Sequence, residues 1–303
     1  MDDGAPRVLY NAGMAKKTRR IPHYGRCAVS LPMRLTERDQ RILEAIHVYD
    51  GLLSFSQIKR MFFTGKSQAE LRLRLLYQNG YLNRPDKEQR RKIPEMVYWL
   101  DRKGAEVVAS LNSITVQDLG WRKDPRWFQI DHDLAVNDFR LDIENACRVT
   151  PNIRLETWVP ESDFLAFPDR IKYLHGQQEL SRYIRPDGYF MLATNQHLIR
   201  YLLEIDRSTE DNPRFFRDKI LPGLAYIKSQ AYEERFGHRS GRWLVVTTGK
   251  RRMKNMLLQA KRANTKGLFY FTTFDQINFE TILFSPIWVR TDRPDPVPLV
   301  FID

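Results

Sequence analysis

Cysteine is scarce in this sequence. Only Cys27 and Cys147 occur in 303 residues, far apart and without a CxxC or a neighbouring histidine pair. That argues against a disulfide framework or a zinc site, and makes a reducing cytoplasm the expected setting. Long apolar runs are missing too. No stretch approaches the ~18 residues that a membrane span needs. The first residues, MDDGAPRVLYNAGMAKKTRR, lack the apolar segment of a secretory signal. There is no GxxxxGK[ST] phosphate loop, which argues against an NTP-driven motor, and no His-hydrophobic-His triplet, which removes a two-histidine metal site. Internal repeats and low-complexity tracts are also absent.

Positive charge is present in excess. The formal net charge is +12, and 42% apolar with 12% aromatic residues mark a folded chain. The excess is uneven: residues 1–127 hold 24 Lys+Arg against 14 Asp+Glu, whereas residues 128–303 hold 25 against 23. A polyanion, double-stranded DNA, is therefore the expected partner of the N-terminal part. The blander reading is a solvated basic surface.

The length suits about two domains. Residues 1–34 read as a flexible basic arm carrying Lys16, Lys17, Arg19 and Arg20. Residues 35–125 read as three helices, a hairpin and a closing helix. Thr36 caps the first helix and Ser54 or Ser56 opens the second. Ser67 opens the third, on which Leu71, Leu75 and Gln78 share a face and Arg72 and Arg74 lie off it. Two β-prone runs then flank a basic tip, and Asp101 caps the last helix. This is the winged-helix plan, in which the third helix enters the major groove and the wing touches phosphate. Lys66, Arg72, Arg74, Lys87, Arg90, Arg91 and Lys92 are the candidate DNA contacts. Winged helices also dock proteins, so a protein-binding role stays open.

Residues 126–303 change texture. A helix over DHDLAVNDFRLDIENACRV leads to a strand, a polar insertion at about 164–180, two more strands, a helix that Pro222 kinks or splits, a strand, a basic helix and a last strand, followed by an irregular Pro-rich tail. The order predicts an α+β or α/β domain with a mixed sheet. The basic helix KRRMKNMLLQAKR is a further candidate phosphate-tracking surface, with Met253, Met256, Leu257 and Ala260 as its packing face.

Acidic residues sit where strands end: Pro186-Asp187 before one strand and Glu204-Ile205-Asp206 closing the next. Glu204 and Asp206, two apart in a strand, share a face, and two carboxylates on one face repel unless something positive lies between them. The layout resembles the PD-(D/E)xK nuclease core, that is, a restriction-endonuclease-like domain. The resemblance implies Asp187, Glu204 and Asp206 as ligands of Mg²⁺ or Mn²⁺. Asp206 stands where that core carries lysine, and Lys219 on the following helix is the candidate replacement, with Tyr226 two turns along. Arg207 points to the other face. Glu144 and Glu156 read as added ligands or as ordinary solvent-facing acids. His132 reads as a structural residue or as a phosphate contact.

A fuller resemblance covers most of the chain. His132-x-Leu134-Ala135-Val136-Asn137-x-Phe139-Arg140, Arg185–Phe190, Leu203–Glu210 and Lys219–Tyr226, after a basic winged helix, resemble the replication-relaxation proteins of plasmids and mobile elements. That implies a role in replication, relaxation or transfer, other replication, transfer or transposition proteins as partners, and a homodimer as the default assembly. Two functions follow: a metal-dependent endonuclease or nickase with Asp187, Glu204, Asp206 and Lys219 as catalytic residues, or an inactive nuclease-like DNA-binding initiator, accessory factor or regulator.

Overall fold

The computed structural model describes residues 25–27, 32–207 and 212–301. Lys16, Lys17, Arg19 and Arg20 lie outside the described residues.

The N-terminal unit opens with α1 (Glu37–Val48), where Thr36 and Asp39 cap each other reciprocally. Strand β1 (Leu53–Ser54) runs into α2 (Phe55–Phe62), capped by Ser54, and α3 (Lys66–Gln78) starts after Gly65 rather than at Ser67. Strands β2 (Leu82–Asn83) and β3 (Val97–Leu100) complete a small antiparallel sheet of order β1-β3-β2. Between them the basic tip folds as a short helix, α4 (Lys87–Arg90), because Asp86 caps it with its side chain. Helix α5 (Arg102–Leu111), capped by Asp101, closes the unit.

Two expectations for α3 change. Its packed face is Ala69, Leu73, Leu76, Tyr77 and Gln78, while Leu71 is exposed. Arg72 is turned inward: its Nε donates to Asp39 Oδ1 at 2.7 Å and its Nη2 to the Arg34 carbonyl at 2.8 Å. Arg90 is likewise occupied, donating to the Ile93 carbonyl at 2.8 Å and fixing the tip.

Helix α6 (Ile130–Val149) begins the second unit, yet it is bonded to both. Asn137 donates to the Tyr49 and Leu52 carbonyls at 3.3 and 2.7 Å, Arg140 to the Val48 carbonyl at 2.7 Å, and Gln57 to the Leu134 carbonyl at 2.9 Å. Leu52, Val97 and Trp99 pack with Ile130 and Leu134, and Leu141 enters the core of the first unit.

Strand β4 (Arg154–Pro160) and helix α7 (Glu161–Ala166) follow. The supposed polar insertion is then largely a regular hairpin of β5 (Asp169–His175) and β6 (Gln178–Ile184). Strands β7 (Gly188–Ala193) and β8 (Leu198–Asp206) lead to α8 (Asn212–Phe215), a π-helical turn over Phe216–Ile220, α9 (Leu221–Ile227) and α10 (Gln230–Phe236). Pro222 has no N–H to give back to the preceding turn, and the backbone widens just ahead of it rather than breaking. Strand β9 (Arg242–Thr247), helix α11 (Lys250–Arg262) and β10 (Phe269–Thr273) complete the core.

The main sheet is mixed, with order β10-β9-β8-β7-β4; β10, β9 and β8 run parallel, and β7 is antiparallel to both β8 and β4. One face packs on α6 and the C-terminal segment, where Trp288 is fully buried; the other packs on α9, α10 and α11. The whole is a mixed α+β chain. Among the described residues no helix is long and apolar enough to cross a membrane.

Candidate functional site

The acidic strand ends meet because of register. Gly188 pairs with Leu203 in the antiparallel β7–β8 ladder, so one step further places Asp187 opposite Glu204. Directly opposed side chains share a face at about 5 Å between Cβ atoms, and like charges there are destabilising. Gly188 is not a turn glycine: a Cβ there would sit 3.0 Å from the Trp158 ring, so the ring's close approach requires its absence. Asp187 and Glu204 are both buried.

Each carboxylate has its own donors. The Ile205 N–H donates to Asp187 Oδ2 at 2.5 Å, and His132 Nε2 lies 3.1 Å from Asp187 Oδ1. Lys219 Nζ sits 2.6 Å from Glu204 Oε1 and donates to Oε2 at 2.9 Å. The result is a continuous row, His132–Asp187–Glu204–Lys219, in which the π-helical turn delivers Lys219 and the start of α6 delivers His132. Burial disfavours charge on Asp187, but His132, Lys219 and the Ile205 N–H together outweigh it and hold this carboxyl below its ordinary range. For Glu204, burial and then the Asp187 charge overcome the pull of Lys219, pushing its proton affinity up to about 8. Burial works against a charge on His132, yet the Asp187 and Glu204 carboxylates raise it to about 9.

Asp206 belongs to a second arrangement. Its register partner on β9 is Thr247, whose hydroxyl donates to Asp206 Oδ2 at 2.6 Å. Arg252 adds a two-pronged contact, Nε to Oδ2 and Nη2 to Oδ1, both at 3.0 Å. Asp206 thus shares the Glu204 face but is held by the fork of α11.

The remaining sequence candidates scatter. Tyr226 is turned away from Lys219's neighbourhood and gives its hydroxyl to Asp169. Glu144 accepts from Tyr49 at 2.6 Å and Arg140 at 2.8 Å across the junction of the units. Glu156 pairs with Arg154, and Arg207 reaches Asp131 at the start of α6. Lys66, Lys87, Arg91 and Lys92 are exposed and Arg74 is half-buried. Arg252 and Thr247 were missed in the sequence; the only signal for them was a strand-end acid lacking a visible partner. Beside the row lies a second junction cluster: Arg126 Nη2 stands 3.0 Å from Asp133 Oδ1 and 2.8 Å from Glu161 Oε2.

The family model described as replication-relaxation matches residues 44–235, more than half of the chain. The chain belongs to the replication-relaxation family. Membership gives it a replication or relaxation setting, and the matched stretch contains His132, Asp187, Glu204, Asp206 and Lys219 but not Arg252. No curated protein and no solved structure matches the chain.

Proposed function

We propose that this replication-relaxation protein is a divalent-metal-dependent DNA endonuclease or nickase, directed to duplex DNA by a winged helix formed by its N-terminal unit. The observation that carries the reading is the buried cross-strand pair Asp187–Glu204 with Lys219 against Glu204. Two hard-oxygen donors face each other across the strands, both buried. Mg²⁺ is commonly held by one or two carboxylates with water and substrate phosphate completing its shell, so Asp187 and Glu204 fit that group. Asp206 is set apart from them: a two-pronged Arg252 contact and the Thr247 hydroxyl hold its carboxylate, whereas a cation at Asp187 and Glu204 would have to displace only the contacts of His132 and Lys219. Among the described residues no group of three or more His, Cys, Asp or Glu is arranged to hold a metal, so the pair alone would supply the protein's ligands.

When bound, Mg²⁺ or Mn²⁺ would activate water and offset charge on the scissile phosphate. The chain's own residues do the rest. Lys219 fixes the Glu204 carboxylate and brings a cation to the phosphate side. His132 positions Asp187. Asp206 is reassigned from ligand to a residue that ties the end of its strand to α11 through Arg252 and to the neighbouring strand through Thr247. Lys66, Arg74, Lys87, Arg91 and Lys92 supply phosphate contacts in the N-terminal unit, while Arg72 and Arg90 serve the fold.

Calorimetric titration with Mn²⁺ tests the ligand set. Wild type should bind, Glu204→Gln and Asp187→Asn should lose at least about tenfold in affinity, in the range seen for lost metal-site partners, and Asp206→Asn should bind nearly as wild type. Equal binding by all four proteins would overturn the assignment. A second reading, an inactive nuclease-like DNA-binding protein, is favoured by one observation: Lys219 already covers both Glu204 oxygens. It predicts no Mn²⁺ uptake by folded wild type.

A further inference from the structure

We propose that the outer face of the β5–β6 hairpin is a platform for a single strand of DNA, with a base stacking on Tyr183 between the guanidinium groups of Arg170 and Arg185. This rests on the reading that DNA is the substrate, and not on the metal assignment.

Alternation fixes which face is outward. Ile171, Tyr173 and Ile184 are buried against α9 and its neighbours, whereas Arg170, Lys172 and Tyr183 are exposed. Arg170 and Tyr183 are direct register partners and therefore share a face. The guanidinium carbons of Arg170 and Arg185 each lie 5.8 Å from the Tyr183 ring centroid. Tyr183 is 53% exposed, so it contributes little to the core. An exposed aromatic between two arginines is the pairing that single-strand binders use, stacking for the base and cations for the backbone. A paired base inside a duplex has no free face to offer, which selects a single strand.

The platform is anchored rather than loose. At its root Asp169 accepts from the Tyr226 hydroxyl and from Arg235, and the Tyr173 hydroxyl donates to the Arg217 carbonyl at 3.0 Å. Arg170 is steadied by Ser181 at 2.8 Å and Lys172 by Glu179 at 2.9 Å. The strand carrying Tyr183 ends at Ile184, and Arg185-Pro186 links it to Asp187. Four residues of extended chain span at most ~14 Å, so a strand lying on Tyr183 passes within a few nucleotides of the carboxylate pair.

The test is fluorescence anisotropy on the full chain in EDTA, with a short labelled single strand of mixed sequence and with the same sequence as a duplex. Loss of one stacked base predicts about tenfold weaker single-strand binding for Tyr183→Ala, with Tyr183→Phe and the duplex affinity within about twofold of wild type. Arg170→Gln combined with Arg185→Gln should weaken single-strand binding and flatten its salt dependence by about one to two charges. Melting curves check that the variants fold, as exposed positions should. Wild-type-like single-strand binding by Tyr183→Ala, as a protein-docking face would give, overturns the proposal, and so does an equal loss on duplex. Because EDTA excludes cleavage, single-strand binding that depends on Tyr183 in a protein that never cleaves would sink the nuclease reading and leave the platform standing.

Discussion

Four side chains, His132, Asp187, Glu204 and Lys219, make a row in which cationic ends enclose two buried acids. Such a row costs desolvation at every member, and it is maintained next to a second set, Asp206 with Arg252 and Thr247, that is already neutral by itself. The junction cluster gives a prediction at this scale. Burial raises Asp133 to about 7 against the opposing pull of Arg126. An acid whose folded value exceeds its ordinary 3.8 holds a proton in the native state that the unfolded chain has released. Its contribution to stability therefore falls as pH rises from about 4 to about 7. Asp133→Asn should remove that part of the slope, so melting temperatures across this window should drop less than in wild type. An unchanged slope would contradict it. At this scale the sequence pointed to Asp187 and Glu204 at strand ends and to Lys219 on the following helix, which the fold brings into one row, whereas Asp206, expected as a ligand, pairs with Arg252 and Thr247. It misled at Arg72, because helical spacing alone does not reveal that buried Asp39 claims the guanidinium. Arg252 was invisible as a partner, since its contact joins a helix to a strand end 46 residues away.

Among elements, α6 decides the most. It packs on the main sheet through Phe139 and Ile143, while Arg140 bonds back to the end of α1 and Asn137 to the loop after it. Asn137→Ala would leave the Tyr49 and Leu52 carbonyls without this donor inside the junction, where an unsatisfied polar group costs ~1–3 kcal/mol. A loss of about 2 kcal/mol in urea unfolding is expected on that basis; a change below about 0.5 kcal/mol, the size of an ordinary surface substitution, would show the junction to be slack. The helices of the first unit were largely readable from caps, as Thr36, Ser54 and Asp101 show. Most β-strands of the sheet were readable from apolar runs. The β5–β6 hairpin was not, because most of its positions are polar, so alternation against α9 is visible only once α9 is in place. The widened turn carrying Lys219 was equally hidden: Pro222 signals a disturbance but not its form.

For the molecule as a whole, charge and topology point the same way. Excess positive charge belongs to the first 127 residues, and the acidic row belongs to the second unit. Helix α6 holds the two in one frame, its first turn touching Asp187 through His132 and its middle bonded to the N-terminal unit. A duplex gripped by Lys66, Lys87, Arg91 and Lys92 would meet the carboxylate pair with its geometry set by that helix. The direct measurement is conversion of supercoiled plasmid carrying the protein's own flanking DNA, with Mg²⁺ or Mn²⁺ and in EDTA, for wild type beside Asp187→Asn and Glu204→Gln. The account predicts metal-dependent nicking or linearisation by wild type, a loss of at least about a hundredfold in both variants if each removes a ligand of the catalytic cation, and unchanged duplex binding in all three. Cleavage that survives in either variant, or none by folded, DNA-binding wild type, would contradict it.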